Sequence, residues 1–471
     1  MMENKYRKTY CNPIPLPDYP IGRCCIQKWN NIRCDYRETA DPSVIYEDGV
    51  WYLYPSCGMA YYSEDLITWK HKRLNVYDIG YAPTVVKHKG EFLLTACDAE
   101  LFRGPTPLGP FEPIGPFRTV AGEATSVKDP MLFSDNGRLF LYSGCGKEIR
   151  GVELDADHPT QYMGENALMF GMNVEEHPWE RMGDWNADPS YSWVEGAWMY
   201  KRGDTYYLTY SAPGTDWRTY GMGAYKSKNP LGPWEYMSTS PFLLTDHGLV
   251  RGTGHGCLVD GPNGTVWAFY TCCVCYAGAF ERRVGYDPIG FDENGNIIPT
   301  RASENPMWAP GLVAEPHKGN GAGILPLTQS MRTVGSSSAP GRDDLYATDD
   351  SMKTWWQPAD DDEDPTLSVW LTDTPMELYT ARIMWRDVGL NYEKGILPEP
   401  IGYVIEAKVK DGEWITVCDK HDNTEDMLID YVYLTPTLAT DVRIRITKKP
   451  KQIKPGLINF TVFGRSPLLK D

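Results

Sequence analysis

Apolar and polar residues alternate along this chain in short runs, and the runs recur as a unit. The first unit is Ala40-Asp41-Pro42-Ser43-Val44-Ile45-Tyr46, the turn Glu47-Asp48-Gly49, and Val50-Trp51-Tyr52-Leu53-Tyr54. Alternation of period two on both sides of a Gly-containing turn predicts a β-hairpin. The second unit is Tyr81-Ala82-Pro83-Thr84-Val85-Val86, with the turn Lys89-Gly90 and the strand Glu91–Thr95. The third is Lys128-Asp129-Pro130-Met131-Leu132-Phe133, with Asp135-Asn136-Gly137 and Arg138–Tyr142. The fourth opens on Ser192-Trp193-Val194-Glu195-Gly196-Ala197-Trp198 and continues in Tyr206–Tyr210. The fifth is Gly254-His255-Gly256-Cys257-Leu258-Val259, with Gly261–Gly264 and Thr265–Tyr270. Units two and four end almost alike, on Pro107-Leu108-Gly109-Pro110-Phe111-Glu112 and Pro230-Leu231-Gly232-Pro233-Trp234-Glu235.

No helical period separates these units. Five of them fit an all-β, five-bladed β-propeller over residues 36–305, preceded by an irregular lead-in over 1–35. The steps from Asp41 to Ala82, Asp129, Glu195 and His255 are 41, 47, 66 and 60 residues. The early steps match the ~40–50 residues of a four-stranded blade, and the later ones imply inserted loops. An array of β-sandwiches is the alternative, but it gives no reason for one phrase to open every unit. In a propeller the first strand of each blade lines the axial channel. Asp41, Asp129, Glu195 and His255 are therefore expected to converge on one axial pocket.

Residues 306–342 turn rich in Pro, Gly and Ser and read as a linker wrapping the propeller. Alternation resumes in Leu367–Leu371, Ala381–Trp385, Tyr403–Ala407, Val442–Thr447 and Leu457–Gly464. Short strands with turns such as Asp411-Gly412 predict a β-sandwich over 343–471.

Composition narrows the function. The 471 residues carry a net charge of −17, which disfavours nucleic acid and anionic membrane as partners. No stretch reaches the ~20 apolar residues that span a bilayer. No apolar segment follows Met1–Lys8, so a cytoplasmic location is expected. Sixteen Trp and 30 Tyr suit sugar-binding surfaces as well as a β-rich core. Twelve cysteines include the adjacent pairs Cys24-Cys25 and Cys272-Cys273. Others, such as Cys57, Cys97, Cys145 and Cys257, sit in or beside apolar runs and are expected to be reduced, small and buried. Cys272, Cys273 and Cys275 lack the paired spacing of a structural zinc site.

Glu195 stands among aromatic and apolar residues, where burial raises a carboxyl pKa toward that of a general acid. Ala40-Asp41-Pro42, Lys128-Asp129-Pro130, Val194-Glu195-Gly196 and Gly254-His255-Gly256 resemble the corresponding phrases of glycoside hydrolase family 43. The resemblance covers roughly residues 36–300. One departure is Ala197, where the family often has proline.

The resemblance implies an inverting hydrolase with Asp41 as general base, Glu195 as general acid and Asp129 as the group that tunes and orients Glu195. It also implies that His255 lies near the channel centre, beside water or a structural Ca2+ held through water. No cofactor is required. His255, Arg283, Trp193 and Trp217 are candidate sugar-binding residues, and Trp198 is expected in the core. Residues 350–356, Asp411–Trp414 and Asn459–Gly464 resemble a discoidin-like (factor V/VIII type C) domain, which implies either sugar binding or a brace for the propeller or a homo-oligomer. The substrate expected is an oligosaccharide of plant origin ending in α-L-arabinofuranosyl or β-D-xylosyl. The alternatives are a β-galactofuranosidase or exo-galactanase on the same scaffold, and a non-catalytic sugar-binding protein.

Overall fold

The structure is a computed structural model that describes residues 4–22, 35–56, 58–273, 278–410 and 412–469. Cys24, Cys25, Cys57, Cys275, Asp411 and the Cys273 side chain lie outside the described residues. Helix among those described is limited to 3-10 turns of three or four residues, and no helix is long and apolar enough to cross a membrane.

Each repeated phrase opens an antiparallel sheet. Blade 1 runs Ser43–Glu47, Val50–Tyr54, Met59–Ser63 and Lys70–Arg73. Blade 2 begins at Thr84–His88, blade 3 at Met131–Asp135, blade 4 at Val194–Arg202 and blade 5 at Cys257–Asp260. Blade 5 has three strands, ending in Arg282–Ile289. The innermost strands neighbour one another in the order 1-2-3-4-5 and back to 1, so the ring closes. Closure is stitched where Thr39 N–H donates to Arg282 O and Asp41 N–H to Thr271 Oγ1. The period-two pattern is the cause: every inner strand buries its apolar face between blades, in a core that includes Val44, Leu53, Met131, Phe140, Met199, Leu208, Trp267 and Phe269.

Two further sheets pack as a β-sandwich. One is built on Met376–Val388, Ile429–Ala439 and Lys454–Arg465, the other on Thr366–Trp370, Asp441–Lys448, Gly402–Lys408 and Trp414–Lys420. The stretch read as linker contributes to both: Leu325–Pro326 pairs with the first sheet and Thr333–Gly335 with the second. The lead-in is not loose either, since Thr9–Tyr10 pairs with Met307–Trp308.

Buried charges join sandwich to propeller. Arg37 meets Asp387 at 2.7 Å and Asp426 at 2.5 Å, and Arg386 meets Glu281 at 2.6 Å. Removing Arg37 would take the ion-pair partner from two buried carboxylates, Asp387 and Asp426, at a cost of about 3–5 kcal/mol. These pairs hold the segments just before Asp41 and Arg282, so the sandwich braces the wall that carries them.

Candidate active site

The residue at the start of each inner strand has a left-handed backbone: Asp41 (φ 50°), Ala82 (φ 47°), Asp129 (φ 43°), Gly196 (φ 61°) and His255 (φ 41°). Asp is among the few non-glycine residues that enter this region readily. Five such corners surround a narrow axial cavity of about 20 Å3, room for about one water. Above it opens a cavity of about 590 Å3, lined among others by Asp41, Asp129, Glu195, His255, Trp193, Tyr81, Phe280 and Arg282. The four predicted ionisable residues thus meet in one place.

Glu195 is aimed by a β-bulge. It pairs with Ser211 while Trp198 pairs with Thr209, leaving Gly196 and Ala197 as the irregular step. A side chain on Gly196 would also meet the His255 ring, 2.9 Å from its Cβ. On its other side Glu195 pairs with Cys145, from a short strand that crosses over from blade 3. Its oxygens accept hydrogen bonds from Tyr220 Oη (2.5 Å, Oε1) and Trp193 Nε1 (2.7 Å, Oε2), with the Cys145 thiol 3.5 Å away. Burial first, and the Asp129 carboxylate second, push its pKa up to about 7; His255 and Tyr220 oppose them. One oxygen each of Asp129 and Glu195, with Cys145 Sγ, lie within 4.8 Å of one another.

Asp41 is held differently. Arg282 grips it with two bonds, Nη1 to Oδ1 at 2.9 Å and Nη2 to Oδ2 at 3.1 Å, and Ser56 Oγ donates to Oδ2 at 2.5 Å. Burial works to raise its pKa, but the Arg282 guanidinium, His255 and the Ser56 hydroxyl together hold it below the usual carboxylate range. His255 Nδ1 lies 3.3 Å from Asp41 Oδ1 and 3.8 Å from Asp129 Oδ2. One Asp129 oxygen accepts from the Cys97 thiol at 2.9 Å. Two carboxyl groups in one cavity are therefore driven apart, Asp41 toward the anion and Glu195 toward the acid.

The donors left around the axis suit a calcium ion only through its own waters. Calcium takes about six to eight oxygen ligands. Both Asp41 oxygens and Asp129 Oδ1 are already engaged, leaving Asp129 Oδ2 and the His255 ring. An ion there would meet the protein mainly at Asp129 and His255.

Three expectations are corrected. Arg283 is not in the cavity. Neighbouring residues of a strand face opposite ways, and it is Arg282 that faces Asp41. Arg283 instead donates to Arg37 O and Arg282 O, each at 2.8 Å, beneath the Tyr19 ring. Trp217 does not line the cavity either: its N–H closes a turn on Gly214 O, and that turn presents Pro213–Asp216 instead. Trp193, by contrast, does line the cavity, where its indole N–H donates to Glu195. Cys97 and Cys145 are half-buried cavity residues rather than core hydrophobes. They are free thiols, as are Cys11, Cys257, Cys272 and Cys418, and Trp198 is in the core as expected.

Arg282, Tyr220, Ser56, Cys97 and Cys145 are functional neighbours that the repeat pattern did not reveal. The pattern marks the starts of the innermost strands, whereas these residues come from outer strands, a short crossover strand and loops.

The model of the family described as Glycosyl hydrolases family 43 matches residues 36–297, more than half of the chain and all five blades. The chain belongs to this family. A β-D-galactofuranosidase of Aspergillus niger is 26% identical over 303 residues, covering 55% of this chain and 82% of that protein. Among solved structures, a thermostable family-43 glycoside hydrolase aligns with a TM-score of 0.51 at 22% identity, over 64% of this chain and 99% of its own. Another, described as a glycoside hydrolase, aligns with a TM-score of 0.50 at 17% identity, over 90% of this chain and 97% of its own. At those identities the two structures speak for the fold.

The family-43 chain makes its electrostatics testable. Asp129→Asn removes the like charge beside Glu195, so the alkaline fall of kcat/KM, expected above about pH 7 in the wild type, moves to lower pH. Tyr220→Phe removes a hydrogen bond that favours the carboxylate and moves the same fall to higher pH. A kcat/KM profile between pH 4 and 10 reads both shifts.

Proposed function

We propose that this family-43 glycosidase is an exo-acting, inverting enzyme that releases terminal α-L-arabinofuranosyl or β-D-xylosyl residues from oligosaccharides. The observation that carries the reading is the opposed pair: a buried Glu195 whose pKa is pushed up to about 7 and an Asp41 that Arg282 helps to hold below the usual carboxylate range. They come from blades 4 and 1, which are not neighbours in the ring, whereas Asp129 and Glu195 come from adjacent blades. An inverting pair stands about 6.5–9.5 Å apart, with room for a water between carboxylate and sugar. Opposite blades suit that separation.

Asp41 takes a proton from water as the water oxygen bonds to the anomeric carbon. The bond from that carbon to the leaving oxygen breaks, and Glu195 gives its proton to that oxygen. Asp41 ends protonated and Glu195 anionic; exchange with solvent restores both. Asp129 keeps Glu195 protonated between turnovers, and the axial floor with its single-water space supports cleavage at a chain end.

The similarity to the A. niger enzyme favours a second reading, a β-D-galactofuranosyl substrate. The acid–base pair serves either sugar, so the cavity wall decides. Initial rates on the 4-nitrophenyl glycosides of α-L-arabinofuranose, β-D-xylose, β-D-galactofuranose and β-D-galactose test the choice. Hydrolysis of the first or second supports the main reading, hydrolysis of the third alone supports the other, and a dead panel with sugar binding retained would sink both.

A further inference from the structure

We propose that Trp185, backed by Arg218, is a sugar-stacking platform at the mouth of the cavity that holds the second ring of an oligosaccharide whose terminal ring is cleaved. This rests on the glycosidase reading above and specifies its substrate as a chain of sugars rather than a simple glycoside.

Two inserted loops, 171–193 and 213–220, meet at that mouth. Thr219 Oγ1 donates to Gly183 O at 2.9 Å, Arg218 N–H to Asp184 Oδ1 at 3.1 Å, and Arg218 Nε to Asp184 O at 3.2 Å. Residues on either side of the clasp line the cavity: Met182 on one loop, Thr215 and Asp216 on the other. The clasp itself therefore sits one step outside the place where the terminal ring is bound.

Trp185 is 78% exposed there. Tryptophan is seldom left so open, because its apolar area is large. One face is covered: the Arg218 guanidinium lies 3.9 Å from the ring centroid. That contact holds the indole and leaves its opposite face to solvent. The backbone is also fixed. Asn186 takes a left-handed conformation (φ 49°), and its side chain donates to Trp179 O at 2.8 Å and Arg181 O at 2.7 Å. Met182 and Asp188 exchange backbone hydrogen bonds across the loop. A flat apolar face held ready in solvent binds with little ordering cost. A sugar ring meets it well, since its C–H face is apolar and its hydroxyls point outward toward carboxylates such as Asp184 and Asp216.

The test compares two substrates of the sugar that the 4-nitrophenyl panel selects: the 4-nitrophenyl glycoside and the trisaccharide. In Trp185→Ala, kcat/KM on the trisaccharide falls about tenfold, mainly through KM, while the aryl glycoside stays within about twofold. Arg218→Ala gives the same split with a smaller loss. Equal losses on both substrates, or none on either, overturn the platform. Should the wild type hydrolyse no glycoside, the reading in the preceding section falls, and calorimetric titration with arabinotriose and xylotriose decides the platform separately. Binding lost in Trp185→Ala then sustains it; binding unchanged, or absent from the wild type, overturns it.

Discussion

Glu195→Ala loses at least about 100-fold in kcat/KM on an oligosaccharide and far less on a 2,4-dinitrophenyl glycoside of the same sugar. The sugar alkoxide is a poor leaving group and cannot depart without the proton that Glu195 supplies. Dinitrophenolate departs without it. The contrast isolates protonation of the leaving oxygen from everything else Glu195 does, including its bonds to Tyr220 and Trp193. A merely structural Glu195 would lower both rates together. Initial rates on the two substrates, side by side, distinguish the cases.

Asp41→Ala behaves the other way. Activation of water is needed whatever the leaving group, so the loss, on the order of 100- to 10,000-fold for a general base, is equal on both substrates. The variant also takes the two-bond partner from the buried Arg282 and leaves it only Glu38, 3.5 Å away, so its fold is checked by urea unfolding before the rates are compared. Equal losses in Asp41→Ala beside unequal losses in Glu195→Ala would fix the two roles. The same pattern in reverse would exchange them.

The repeat carried most of this arrangement. Asp41, Asp129 and His255 were legible because each occupies the same corner of the same hairpin, and a channel lies where such corners meet. Glu195 was legible one position off that register, and the bulge at Gly196-Ala197 is what absorbs the difference. The C-terminal strands announced a sandwich through their alternation alone. What escaped were residues placed by closure of the ring rather than by the repeat. Period two says that either Arg282 or Arg283 faces the cavity and not which one. Cys145 reaches Glu195 only because a two-residue strand crosses from blade 3 to blade 4. Tyr220 arrives on a loop whose course no periodicity encodes. The linker was misjudged for a related reason: two- and three-residue edge strands are too short to show any alternation.

The sandwich also gains a reason to be there. Its Arg386 and Asp387 pair with Glu281 and Arg37, next in sequence or nearly so to Arg282 and Asp41. Its bracing contacts thus reach the wall that holds Asp41 and Arg282.

A single displacement between Asp41 and Glu195 is read from the configuration of the sugar first released. Proton NMR in deuterated buffer, recorded within the first minutes of hydrolysis of the preferred glycoside, reads it before mutarotation. A single displacement by water gives the anomer opposite to that of the substrate. The same anomer as the substrate would mean that a carboxylate attacks the sugar and that Asp41 is not activating water.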